Sequence, residues 1–257
     1  MPMRRAGRHP YLDHDGPIAF AHRGGGLEAP ENSLAAFARA IDLGFRYIET
    51  DVQLTGDGRL IIFHDDMLDR LTDGQGRVGA LPWSAIAQAR IAGQEPIPLL
   101  EEVLERWPDL HLNIDPKSDR AALALPDMLR RYGALGRVCV GSFSGARLAR
   151  LRRALGPDLC SSAGPAQVAR VWFGAHGLPL GRPGSDCLQV PRRHHGLPIV
   201  TPAFIRNAHR HGLPVHVWTV DEAAEMEYLL DIGVDGLISD RPTLLRDVLQ
   251  RRGQWRG

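Results

Sequence analysis

Glu49-Thr50-Asp51-Val52-Gln53-Leu54-Thr55-Gly56-Asp57-Gly58-Arg59-Leu60-Ile61-Ile62-Phe63-His64-Asp65 is the stretch on which the fold turns. Two apolar-leaning runs flank Asp57-Gly58, the strongest short-range hairpin signal. With those two residues as the loop, Gly56 faces Arg59 and Asp51 faces His64. Opposed residues on paired strands hold their Cβ atoms about 5 Å apart, so a carboxylate and an imidazole would share one face. Glu49, two residues before Asp51, points to the same side. Two carboxylates and a histidine on one patch have no obvious packing role, and they suit a metal-assisted acid–base site.

A two-residue loop joins only antiparallel strands, whereas the rest of the chain reads as parallel. Short apolar runs predict strands at 17–22, 47–53, 110–115, 137–142, 158–161, 187–190, 214–220 and 236–239. Between them, helical patterns cover 33–43, 99–106, 120–132, 146–155, 202–211 and 222–232. Pro202 near the start of one helix, and Gly212 and Gly233 after the ends of two, are ordinary start and stop signals. Such strand–helix alternation predicts an α/β fold, a closed parallel (β/α)₈ TIM barrel, with an open doubly wound sheet as the alternative. The hairpin then projects beyond the second strand and begins a small hairpin-plus-helix insertion at about 54–97. No repeat, low-complexity segment or linker divides the chain, so residues 1–257 read as a single domain.

A domain of 257 residues buries about three quarters of its unfolded surface and needs no staples. Its net charge of +1, from 31 basic and 30 acidic residues, argues against a dedicated nucleic-acid binder. No run approaches the roughly 18 apolar residues of a membrane span. Met1-Pro2-Met3-Arg4-Arg5 is basic like a signal sequence, but polar residues follow where an apolar segment would stand. The expectation is a soluble, cytoplasmic protein without integral membrane association; no feature fixes an oligomeric state. Cys139, Cys160 and Cys187 each sit in a short apolar run without a Cys-x-x-Cys spacing, and read as core thiols rather than ligands or bridges.

Barrel chemistry sits at the carboxyl ends of the strands. Those ends supply His22-Arg23, then Glu49 and Asp51, then Asp115 with Lys117, Ser142 and Ser144, and Trp218. The returning hairpin adds His64. Three carboxylates in one mouth repel one another unless a cation neutralises them, and all-oxygen ligation suits one hard divalent ion, Mg²⁺ or Ca²⁺. Arg23 and Lys117 then form an anion clamp. With two histidines near their working pKa, the set describes phosphodiester hydrolysis, one imidazole as base and the other as acid. Each piece also has a plainer reading. A lone histidine at a strand end is commonly structural, Glu49 and Asp51 could be solvated edge charges, and Asp115-Pro116-Lys117 could be a turn. His22-Arg23-Gly24-Gly25-Gly26 is either a phosphate-binding loop or a tight turn. Asn32 or Ser33 caps the next helix, and Glu31 or Asn32 could brace metal ligands.

Ala21-His22-Arg23-Gly24, Pro30-Glu31-Asn32-Ser33, Glu49-Thr50-Asp51-Val52, Phe63-His64-Asp65, Asn113-Ile114-Asp115-Pro116-Lys117, Val217-Trp218-Thr219-Val220 and the run from Gly233 to Pro242 together resemble the glycerophosphodiester phosphodiesterase family. The resemblance covers 17 to about 249 in order. It implies a (β/α)₈ barrel with an insertion after the second strand, and metal-dependent hydrolysis of a small-molecule glycerophosphodiester to sn-glycerol 3-phosphate and an alcohol. By position, His22 and His64 resemble the family's acid–base pair, and Glu49, Asp51 and Asp115 its metal ligands. Arg23 and Lys117 resemble its phosphate contacts, and Trp218 an aromatic near the substrate. Three positions depart from the pattern: Asp115 stands where glutamate is usual, Pro116 fixes the backbone beside it, and Ser33 replaces threonine. The attacking group is either water or the glycerol 2-hydroxyl. Alternatives are a lysophospholipase D-like or phospholipase-type hydrolase on lipid substrates, and a catalytically silent phosphate- or lipid-binding barrel. The insertion's Leu68, Leu71, Leu81, Trp83, Ile86 and Ile91 form either its own core or an acyl-chain lid. Arg192-Arg193-His194-His195 either meets anionic head groups or is a solvated loop, and 173–186 predicts an irregular loop on the opposite face.

Overall fold

Strands with one face turned to helices and the other turned inward need side chains that alternate at period two. The computed structural model describes residues 9–178 and 180–257. It begins with β1 (Ile18–His22), α1 (Leu34–Asp42), β2 (Tyr47–Leu54), β3 (Leu60–Ile62), α2 (Trp83–Ile86), β4 (Arg90–Ile91) and β5 (Glu95–Pro96). There follow α3 (Leu100–Arg106), β6 (His111–Pro116), α4 (Asp119–Arg131), β7 (Val138–Val140), α5 (Gly145–Leu155), β8 (Cys160–Ser161) and α6 (Pro165–Ala175). The last third holds β9 (Leu188–Pro191), β10 (Arg193–His194), β11 (Leu197–Pro198), α7 (Pro202–Arg210), β12 (Val215–Trp218), α8 (Ala223–Asp231), β13 (Gly236–Ser239) and α9 (Pro242–Arg251).

Among the described residues, the main sheet runs β8-β7-β6-β2-β1-β13-β12-β9 with every neighbouring pair parallel. Its two ends meet. Ser162 pairs in parallel with Cys187, Ala163 N–H donates to Cys187 O at 2.9 Å, and Asp186 N–H donates to Ser161 O at 2.9 Å. The sheet is thus a closed TIM barrel, with a helix after each of its strands. Outward residues such as Ile48, Val52, Leu112, Val140 and Val217 pack against the helices. Inward residues Ile18, Phe20, Tyr47, Cys139 and Ile238 fill the barrel, and Tyr11 and Leu12 close its amino-terminal floor.

Insertion and barrel have separate cores. Ile61, Phe63, Leu68, Val78, Ile86 and Ile97 cluster together inside the insertion, which settles its apolar content as its own packing. The hairpin differs from the two-residue prediction. β2 and β3 pair Val52 with Ile62 and Leu54 with Leu60, so the loop is Gly56-Asp57-Gly58 and the register slips by one. Thr55 N–H donates to Arg59 O at 2.9 Å and Gly58 takes φ +88°, the geometry of a three-residue loop ending in a left-handed glycine. Asp51 therefore faces Phe63, whose N–H donates to Asp51 O at 3.0 Å, and His64 lies just beyond the ladder.

A second difference lies at 173–186. Phe173, Gly174 and Ala175 belong to α6, and only the described residues from 176 onward are irregular. Gly164 with Pro165 opens that helix, and Gln167 Oε1 accepts from Gly164 N–H at 3.0 Å.

Candidate active site

Strand register brings the polar ends together. His22 pairs with Glu49 across β1 and β2, while Glu49 pairs with Asn113 and Asp51 with Asp115 across β2 and β6. Lys117 follows β6, Trp218 ends β12, and Asp240 follows β13. His22, Arg23, Glu49, Asp51, His64, Asp115, Lys117 and Trp218 all line one cleft of about 590 Å³. His64 reaches it from the turn after β3, not from the strand position that the hairpin count predicts.

Each histidine is anchored at Nδ1. His22 Nδ1 lies 2.8 Å from Asp240 Oδ1, and its Nε2 lies 3.6 Å from Glu49 Oε2. His64 Nδ1 lies 2.5 Å from Asp65 Oδ1, and Arg70 in turn donates to both oxygens of Asp65. A carboxylate at Nδ1 fixes the tautomer and leaves Nε2 for the cleft. Burial depresses the His22 pKa, but Glu49 and then Asp240 outweigh it, and the net shift is upward. The Arg70 hydrogen bonds pull Asp65 down to about 2.

The acids and cations interlock. Lys117 Nζ lies 2.8 Å from Asp51 Oδ1 and 2.8 Å from Asp115 Oδ2. Arg23 Nε lies 3.1 Å from Asp51 Oδ2, and its Nη1 donates to Glu31 Oε1 at 2.9 Å. Asn32 Nδ2 donates to Asp51 Oδ2 at 3.0 Å while its Oδ1 accepts from Thr50 at 2.8 Å, so Asn32 braces Asp51 and Ser33 is the helix cap. Burial resists ionisation of Asp51, but Lys117 and Arg23 hold it below the ordinary value. Burial and then the Asp51 charge push Glu49 up to about 7, and burial raises Asp115.

Arg23 and Asn32 both take left-handed backbone, at φ +53° and +58°, a conformation of order 1 kcal/mol or more for such residues. Arg23 N–H donates to Glu49 O and Asn32 N–H to Arg23 O, each at 2.8 Å, which holds the turn. Gly24 is required there, because a Cβ would stand 2.7 Å from the Phe37 ring.

Apart from Asp51 Oδ1, which is ion-paired with Lys117, two buried oxygens here have no hydrogen-bond partner, Glu49 Oε2 and Asn113 Oδ1. An orphaned buried oxygen costs about 1–3 kcal/mol. Beside Asp51 and Asp115 they form an all-oxygen donor set, which fits a hard divalent cation. Asp240, Asp65, Arg70 and Asn113 are site residues that sequence reasoning did not assign. Asp65 and Asn113 had local signals, adjacency to His64 and period two with Asp115; Asp240 lay within the Gly233–Pro242 run of the resemblance without a role, and Arg70 had no signal.

The far side of the cleft is apolar. Val168, Trp172 and Phe173 of α6 face Leu197 and Ile199 around the β10–β11 hairpin, and Trp172 Nε1 donates to Pro198 O at 3.2 Å. Phe143, 66% exposed, stands edge-on to Trp218 at the rim. Of the insertion, only His64 lines the cleft. Arg192 pairs with Glu225 at 2.7 Å, leaving His194 as the member of its run that reaches the cleft.

Comparison with known proteins identifies relatives of the chain and of its fold. The profile of the Glycerophosphoryl diester phosphodiesterase family matches residues 22–244. A probable glycerophosphodiester phosphodiesterase 2 of Mycobacterium tuberculosis is 43% identical over 256 residues, covering 96% of each chain. A glycerophosphodiester phosphodiesterase of Caldanaerobacter subterraneus subsp. tengcongensis is 31% identical, over 92% of this chain and 99% of its own. Among solved structures, an Oleispira antarctica phosphodiesterase in complex with the product sn-glycerol-3-phosphate superposes with a TM-score of 0.75 at 25% identity, covering 91% of this chain and 97% of its own.

Proposed function

The chain belongs to the glycerophosphoryl diester phosphodiesterase family, a family of phosphoric diester hydrolases, and we propose that its cleft uses His22 and His64 as an acid–base pair with one divalent cation. The products are sn-glycerol 3-phosphate and an alcohol. One Nε2 takes the proton from the attacking hydroxyl, and the other supplies a proton to the leaving alkoxide. Glu49, Asp51 and Asp115, with the unpartnered Asn113 carbonyl beside them, would hold the Mg²⁺ or Ca²⁺. Such an ion, when bound, neutralises the acids and offsets phosphate charge. Arg23 and Lys117 present their charge at the same place, and Trp218 walls the substrate side.

The observation that supports this most is the matched anchoring of both imidazoles on one cleft by Asp240 and Asp65. His22→Ala and His64→Ala are each expected to lower kcat on glycerophosphocholine by at least ~10²-fold. Near-normal turnover in either variant removes that residue from the acid–base pair. Loss of activity in chelator, restored by Mg²⁺ or Ca²⁺, tests the cation.

A second reading has a specific observation behind it: the apolar wall of α6 and the β10–β11 hairpin continues from the charged cluster. A diester carrying one acyl chain fits that wall, as in lysophospholipid hydrolysis. Parallel assays on glycerophosphocholine and lysophosphatidylcholine decide between them. If Leu197→Asp lowers only the acylated activity, the wall holds acyl chains; if lysophosphatidylcholine is not hydrolysed at all, this reading is wrong.

A further inference from the structure

Three thiols meet in the floor of the barrel, and none of them lines the cleft. Cys139 on β7 pairs in register with Cys160 on β8, and Cys187 stands just before β9 at the seam that closes the barrel. Alternation turns all three inward. Their Sγ atoms all lie within 4.8 Å of one another, with those of Cys139 and Cys187 3.9 Å apart. All are fully buried free cysteines. Two further polar atoms in this layer have no hydrogen-bond partner, His216 Nε2 and Tyr11 Oη, both on fully buried side chains. His216 lies against Cys187, and Tyr11 packs in the same cluster as the three cysteines.

Each orphaned buried group costs about 1–3 kcal/mol, and here two of them adjoin three sulfurs. Thiolates and imidazole are the ligands of thiophilic metals. At about 2.3 Å per zinc–sulfur bond, tetrahedral sulfurs stand about 3.8 Å apart, against the observed 3.9 Å for one pair.

We propose that Cys139, Cys160 and Cys187 form a structural three-thiolate site for a thiophilic divalent cation, Zn²⁺, in the barrel floor; the unpartnered His216 Nε2 lies outside their 4.8 Å group and reaches the ion as fourth ligand only by a shift of its ring. Binding converts three thiols to thiolates and releases three protons to water, with no change of oxidation state. Zn²⁺ against three thiolates leaves one net negative charge in the core, whereas a monovalent ion would leave two, and burial favours the smaller charge. The Tyr11 hydroxyl, unpartnered in the same cluster, is a donor that a thiolate there would attract. Gln189, whose amide lies 3.5 Å from His216 Nδ1, accepts Nδ1–H once its oxygen is turned to that nitrogen, and Nε2 is then bare for the metal. Tyr11 and Leu12 cover the floor, so the ion enters as the chain folds.

Refolding with Co²⁺ in place of Zn²⁺ tests the site independently of turnover. The expected result is a stoichiometric ion held through dialysis against chelator, with an intense thiolate-to-cobalt charge-transfer band. That band persists in Glu49→Gln/Asp51→Asn, which removes two of the three carboxylate ligands in the cleft, and is lost in Cys187→Ala. Should Cys187→Ala fail to fold, the wild-type chain alone decides. Elemental analysis and native mass spectrometry of the protein as expressed must show bound zinc with three protons displaced. A folded wild-type chain with three titratable thiols and no charge-transfer band, or one with a disulfide among these cysteines, overturns the proposal.

Discussion

Asp240 stands 218 residues from the histidine that it holds, so no spacing rule could have assigned it. His22, Glu49, Asp51 and Asp115 were legible because a strand's period of two forces alternate side chains inward, whatever their partners. Partnership is a property of barrel closure, since β13 lies beside β1 only once the sheet curls. Asp240→Asn keeps the shape but removes the charge that orders the His22 tautomer. Its kcat is expected to fall about tenfold to a hundredfold, the usual size for a group that orients a working side chain, with KM little changed. Steady-state kinetics of this variant beside His22→Ala checks it: an effect as large as that of His22→Ala would make Asp240 more than a positioning residue, and no effect would free His22 of its anchor.

At the scale of elements, the hairpin was recognised but its count was not. Asp57-Gly58 is a strong two-residue signal, yet Gly56 joins the loop because its backbone is claimed elsewhere. Gly56 N–H donates to Leu81 O at 2.7 Å, and a Cβ on Gly56 would stand 3.0 Å from the Ala80 and Leu81 backbone. Gly56→Ala is therefore expected to destabilise the chain by about 1–3 kcal/mol through overpacking, read by urea denaturation. Gly58→Asn, at an open left-handed position that asparagine tolerates, should cost less; equal losses would mean that loop conformation rather than the close approach decides. Helix α6 escaped for another reason. It buries Val171 against the barrel and turns Val168, Trp172 and Phe173 to the cleft, so it lacks the polar face that makes a 3.6-residue period visible.

The whole barrel was legible because strand–helix alternation is a global pattern that tolerates errors of one or two residues at every boundary. Its seams were not, since they depend on single contacts between distant elements. One is Asp235, which accepts from His209 of α7 at 2.7 Å and from the Val215 N–H of β12 at 2.8 Å. Burial resists its ionisation, but these two donors outweigh it and lower its pKa. A carboxylate with a depressed folded pKa adds stability above its unfolded pKa of about 3.9 and loses it as pH falls through the folded value. Asp235→Asn should thus be less stable than wild type by about 1.5 kcal/mol near neutrality, with the gap closing below about pH 4. A gap independent of pH would assign the effect to shape alone.

The floor is the other seam, and Tyr11 gives it two opposite signs. Its ring is fully buried against Tyr47, with centroids 5.3 Å apart, and His111, so Tyr11→Ala empties the base of the barrel and should cost about 3–5 kcal/mol. Its hydroxyl has no partner in the floor, and in protein freed of metal Tyr11→Phe removes a buried unsatisfied group while keeping the ring. That change is expected to leave stability level or raise it by up to about 1 kcal/mol, measured by thermal unfolding in chelator after refolding without metal. With zinc in the thiol site the sign reverses, because the hydroxyl then has a thiolate to donate to. A loss of stability in Tyr11→Phe without metal would mean that the hydroxyl is satisfied by bound water in the floor, and that the barrel closes through a polar contact as well as an aromatic one.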